Sequence, residues 1–179
     1  MDFPTKRQTE DESGPANALS SNEIKNMLIL AHITKRDVFY DLGSGNGRIV
    51  RTVVSKTKAK YACGIEKDVT HFCASVKNAK ANLSRQQLKK IDFWRADYKH
   101  YDFSDATIIY NGLTEEDEEI KTYEKVFGQK NVKIIKTDLP LVSYKRIASK
   151  FSKNIRFYLM QYPLKPYKMT NKNSWPRMF

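Results

Sequence analysis

Between Val38 and Val50 the sequence runs Asp41-Leu42-Gly43-Ser44-Gly45-Asn46-Gly47, with glycine at every second position after Leu42. Glycine accepts the backbone of a sharp turn and lets another molecule approach main-chain atoms that a side chain would shield. The residues from Arg48 onward show helical periodicity, and the first N–H groups of a helix have no partner within it. A strand, turn and helix of this kind offers donors to a phosphate or to an adenosine group, and the glycines alone do not choose between them.

Two details narrow the choice. The spacing is G-x-G-x-G rather than the G-x-G-x-x-G of dinucleotide turns, and no lysine follows as in a P-loop. Asp41, at the strand end, suits a cationic aminoacyl group better than a pyrophosphate. Both favour S-adenosylmethionine, released as S-adenosylhomocysteine, against a wall of Asp41, Gly43, Ser44, Gly45, Asn46, Gly47 and Arg48. Glu66, followed by Lys67, lies roughly 20 residues beyond the turn, where an acid accepts two ribose hydroxyls; a dehydrogenase would use the same acid. Asp97 and Tyr98 fit an adenine amino group and ring, and fit an ordinary turn as well. Cys63 and Cys73 read as structural thiols, and the scattered His32, His71 and His100 give no metal-ligand pattern, so no metal is expected.

These residues need a frame. Ser20 or Ser21 can cap a helix with Ile24, Met27, Leu28 and Ala31 on one face. Strands are expected at Val38–Tyr40, Tyr61–Ile65, Ile91–Trp94, Ala106–Tyr110 and Val132–Ile135, with a closing strand at Ile155–Tyr162. Helices are expected at Arg48–Lys56, Val69–Leu83 and Glu115–Phe127. The alternation predicts an α/β, Rossmann-like fold: a mainly parallel sheet with helices on both faces.

The 179 residues suit one domain, expected at 20–165, between a mobile, charged N-terminal arm at 1–19 and a basic, aromatic C-terminal tail at 166–179. No apolar run reaches the roughly 20 residues that span a bilayer, so the expectation is a soluble, cytoplasmic monomer with no membrane partner. The net charge is +12, and from Leu139 to Phe179 nine Lys and Arg residues face no Asp or Glu. A basic region of this kind is expected to contact DNA or RNA, which would place the protein near the nucleoid.

DLGSGNGRIV, GIEK, RADY and IIYNGL, in that order, resemble the class I, seven-strand methyltransferases over roughly Ser20 to Tyr162. Within that class the chain is similar to protein-lysine methyltransferases related to the nucleosomal disruptor-of-telomeric-silencing enzymes, and to small archaeal and mitochondrial lysine methyltransferases. The resemblance implies that Asp41, Gly43, Gly45, Glu66, Asp97 and Tyr98 line the cofactor pocket and that Asn111 faces the transferred methyl. It further implies a lysine of a protein substrate, such as a DNA-bound chromatin protein, as acceptor, with Tyr110, Tyr158 and Tyr162 as candidates for an aromatic channel. Methylation of RNA or DNA is the rival reading. Against it, Asn111-Gly112-Leu113-Thr114 lacks the Pro-Pro-aromatic sequence that holds a flipped base. A noncatalytic nucleic-acid-binding module is the remaining alternative.

Overall fold

Ser20 opens the first helix by a reciprocal cap: its hydroxyl accepts the Glu23 N–H at 3.3 Å, and the Glu23 carboxylate accepts the Ser20 N–H at 2.7 Å. The resulting α1 (Ser21–Ala31) buries Ile24, Met27 and Ala31 and ends at His32, whose φ of 48° breaks the helix. The computed structural model describes residues 19–112, 116–128, 130–137, 146–152 and 155–163. The expected N-terminal arm, apart from Leu19, and the 166–179 tail lie outside these residues; Leu19 itself is buried in the core.

The chain continues through β1 (Val38–Leu42), α2 (Arg48–Lys56), β2 (Tyr61–Glu66), α3 (Val69–Asn82), α4 (Arg85–Leu88), β3 (Ile91–Arg95), β4 (Ile108–Asn111), α5 (Glu116–Phe127), β5 (Val132–Thr137), β6 (Arg146–Ser152) and β7 (Ile155–Tyr162). One seven-stranded sheet has the order β3-β2-β1-β4-β5-β7-β6. The β1–β2, β2–β3, β1–β4 and β4–β5 pairs are parallel, while β7 runs antiparallel to both neighbours. The order reverses between β1 and β4, so the connections leaving their C-terminal ends diverge and open a crevice there.

Alternation along the central strands feeds two cores. Phe39, Ile108, Ile135 and Phe157 pack with Ile24, Met27, Val50 and Val53 of α1 and α2. Tyr40, Ile109, Ile134 and Met160 pack on the other face with Phe103, Tyr123 and Phe127. Sequence and structure differ most at strand ends. β1 runs two residues past Tyr40 because β2 and β4 hydrogen-bond to it on both sides, which makes Asp41 a buried strand residue rather than part of the turn. β4 begins at Ile108 and keeps Asn111; β5 extends through Lys136 and Thr137. The edge strand β6 has no counterpart in the expectation, because only one of its faces is covered and Ile147 and Phe151 remain exposed.

Candidate active site

The turn after β1 is held against β2. The Gly43 and Ser44 N–H groups both donate to the Ile65 carbonyl, at 2.9 and 3.0 Å, and the Gly47 N–H closes the turn on the Ser44 carbonyl. Gly47 sits at φ 74°, where a Cβ would also lie 2.5 Å from the Phe93 ring and 2.9 Å from Ser75. Gly64 permits a second close approach, since a Cβ there would meet the Ser44 hydroxyl at 2.6 Å. By contrast, the space beside Gly45 is open. Asn46 accepts the Arg48 N–H at 3.2 Å at the start of α2, where Gly47, the N-cap, brings no side-chain acceptor.

Asp41 stands at the centre of this arrangement. It is 1% exposed, and both carboxylate oxygens are buried without a hydrogen-bond partner among the described residues, as is the Ser44 hydroxyl. Burial, with a smaller contribution from the Glu66 charge, pushes the Asp41 carboxyl up to about 8. Native interiors rarely leave such groups unsatisfied, so a carboxylate orphaned beside a glycine turn is an acceptor shaped for a ligand cation or donor.

Glu66 faces the same turn. Its Oε2 accepts the Gly45 N–H at 2.8 Å and its Oε1 accepts the Asp68 N–H at 2.9 Å. Each carboxylate oxygen carries a second acceptor position, so these bonds orient Glu66 while leaving capacity for hydroxyl donors. Lys67 follows on the exposed surface. Asp97 is exposed after β3, where it accepts the Lys99 N–H at 3.0 Å and caps a short 3-10 turn. The Asp41, Ser44 and Glu66 groups thus meet the requirements of an aminoacyl-adenosine ligand: an acceptor for its ammonium, a glycine-lined approach and an acid for its ribose.

Other candidates are placed differently. The Arg48 guanidinium turns away from the glycine turn to the Ser21 hydroxyl at 2.9 Å. The Tyr98 ring is committed to the core beside Phe103 and Ile109. Tyr110 and Asn111 project to opposite faces of β4: the Tyr110 hydroxyl meets Thr137 Oγ1 at 2.6 Å, whereas Asn111 meets Tyr123 on α5. Tyr162 donates to the Gly128 carbonyl, and Tyr158 lies under the Arg146 guanidinium, 5.3 Å from its ring centre. Tyr110 belongs to one core and Tyr162 to the other, on opposite faces of the sheet, so the three tyrosines do not line one passage. Cys63 is buried, and burial pushes its thiol up to about 12, which removes it from nucleophilic roles.

Two features were not read from the sequence. Asn111 Nδ2 donates to the Tyr123 hydroxyl at 3.2 Å, Tyr123 donates to Glu119, and Lys136 Nζ donates to Glu119 Oε2 at 2.6 Å. The apolar neighbours Ile120 and Phe127 make α5 legible as a helix, but the pairing of Glu119 with a lysine 17 residues away depends on α5 lying over β5. The second feature is a groove of about 990 Å³ between α1 and α2, lined by Lys25, Lys56 and Lys58 with the hydroxyls of Ser21, Thr52, Ser55 and Thr57, and by no carboxylate.

A family model described as histone methylation protein DOT1 matches residues 17–117. A protein-lysine N-methyltransferase of Saccharolobus islandicus (strain REY15A) is 30% identical over 88 residues, which cover 48% of this chain and 52% of that relative. The match thus spans about half the relative's length. Among solved structures, an RNA methyltransferase from Salinibacter ruber in complex with S-adenosyl-L-homocysteine is similar with a TM-score of 0.71 and 25% identity, covering 80% of this chain and 92% of that one. TYW2 of M. jannaschii in complex with AdoMet shares the fold, with a TM-score of 0.57 at 19% identity over 80% of this chain and 76% of that one.

Proposed function

The chain belongs to the histone methylation protein DOT1 family and has the fold of class I S-adenosylmethionine-dependent methyltransferases, and from that premise we propose that it methylates lysine side chains of a protein. The observation that carries the cofactor assignment is the buried, unpartnered Asp41 carboxylate beside the glycine turn. Asp41 would answer the cofactor's ammonium, Ser44 and the open side of Gly45 its approach, and Glu66 its ribose hydroxyls. Held there, S-adenosylmethionine would supply an electrophilic methyl on a sulfonium, for which a neutral amine is the nucleophile. The protein's share of the work is to hold the two together and exclude water. A lysine titrates at about 10.4 in water, and an apolar approach beside a positive charge lowers that value and supplies the neutral amine. The DOT1 family model and the lysine-methyltransferase relative support lysine as acceptor.

A second reading, methylation of RNA, is favoured by the Salinibacter ruber structure, which this chain matches over 92% of its length, and by the net charge of +12 with its carboxylate-free groove. Incubation with methyl-labelled S-adenosylmethionine and a fractionated cell extract, followed by separate protease and nuclease digestion, separates the two. Label released by protease and recovered as methyl-lysine is the expected result. Label confined to nucleic acid would replace the lysine reading with the RNA reading.

A further inference from the structure

We propose that the buried Lys136–Glu119–Tyr123 chain fixes which end of the Asn111 amide faces the reaction site, presenting its carbonyl and so favouring a nucleophile that carries an N–H. The inference rests on the methyltransferase reading and deepens it, since it specifies the acceptor's chemistry. Lys136 and Glu119 are 3% and 1% exposed, and their ion pair holds Glu119 as an acceptor-only carboxylate. The one proton of the Tyr123 hydroxyl therefore goes to Glu119. Burial and the Glu119 charge raise Tyr123 well above its ordinary value, so that proton stays on the phenol.

With its proton committed, the Tyr123 oxygen can only accept, and the group it accepts from is the Asn111 amide nitrogen at 3.2 Å. At Tyr123 the end of the amide that is presented is thus set by a charge two hydrogen bonds away. Asn111 pairs in register with Leu42, the residue before the glycine turn, so its amide sits at the crevice end of the sheet. The nitrogen faces α5 and the carbonyl lies on the side away from Tyr123. A carbonyl there receives an N–H from an approaching neutral amine and leaves the amine's lone pair free to attack. A flipped amide would offer a donor, which competes for that lone pair. Tyr123, Glu119 and Lys136 are positioning residues in this account and touch no substrate.

The test uses the full chain and two variants: Tyr123→Phe, which removes only a hydroxyl, and the paired change Glu119→Gln with Lys136→Met, which removes the ion pair without leaving one charge buried. Two readouts are taken: the Asn111 side-chain NH2 signals by isotope-edited NMR, and label transferred to the protein fraction of the extract. In either variant the Asn111 NH2 signals are expected to shift and lose protection from exchange. Label transfer should fall at least tenfold while S-adenosylhomocysteine affinity by calorimetry stays within threefold. Unchanged Asn111 signals, or unchanged label transfer, in a folded variant overturns the proposal; if Tyr123→Phe does not fold, the paired variant decides by the same criteria. If the parent labels only nucleic acid, the lysine reading fails, but base amines also carry an N–H, so the proposal is then decided by the Asn111 NH2 signals together with label transferred to the nucleic-acid fraction, where unchanged signals or unchanged transfer in a folded variant overturns it.

Discussion

A carboxylate buried without a donor holds on to its proton, and Asp41 is in that position at about 8. The sign of the pH dependence follows. The folded-state value lies above the unfolded one, so the contribution of this group to stability is complete at low pH and is lost as pH rises toward 8. Replacing Asp41 by Asn removes that loss. Scanning calorimetry should find the variant at least about 3 °C more stable than the parent at pH 8, with the gap closing toward pH 5. The same variant should bind S-adenosylhomocysteine at least tenfold more weakly, and in the parent that affinity should climb from pH 6 to pH 8 as Asp41 ionises. A flat affinity over that interval would separate Asp41 from the ligand cation. The residue types of this site stood in the sequence: Asp41, the glycines and Glu66 were readable because each answers a local need of a turn or a strand end. Tyr98 and Tyr110 were not, since a tyrosine in a core and a tyrosine at a ligand look alike until the opposing face is known.

At the scale of elements, the glycine turn proposed to hold the cofactor is packed against β2 and against the Phe93 ring of β3. Gly64 is the contact point, with Ser44 and Phe93 filling the space that a Cβ would need. Gly64→Ala should cost about 1–3 kcal/mol of stability, by overpacking, and weaken S-adenosylhomocysteine binding at least tenfold, because β2 and the turn must separate. Gly128→Ala is the control. Gly128 ends α5 at φ 57° with open space beside it, so alanine there should cost about 1 kcal/mol by backbone strain and leave affinity unchanged. Denaturant melts and calorimetric titration read both. Most elements were legible from periodicity; apart from the one-turn helix α4, too short to show any, the errors fell where tertiary pairing overrides it. β1 and β5 gained residues from neighbours on both sides, and β6 was missed because an edge strand with Lys150 and Arg146 lacks a two-sided apolar signal.

At the scale of the molecule, the excess positive charge takes shape in the α1–α2 groove and in the β6–β7 hairpin, where Arg146 lies over Tyr158 and Arg156 over Phe151. If the groove docks on nucleic acid that carries the substrate, methyl transfer to a nucleic-acid-bound protein should fall at least about tenfold between 50 and 200 mM salt, through counterion release. Transfer to the same protein free of nucleic acid should change less than about twofold, and Lys25→Glu with Lys56→Glu and Lys58→Glu should abolish the difference. Equal salt responses for the two substrates would remove docking from the account. The sequence by itself determined the α/β alternation, the glycine turn and the acid that follows it, because these depend on residues near one another in the chain. Only the tertiary structure decided that the Asp41 carboxylate is buried unpaired and that Lys136 reaches Glu119. It also turned Tyr110 away from Asn111, because burial and long-range pairing are set by which elements stack on which face of the sheet.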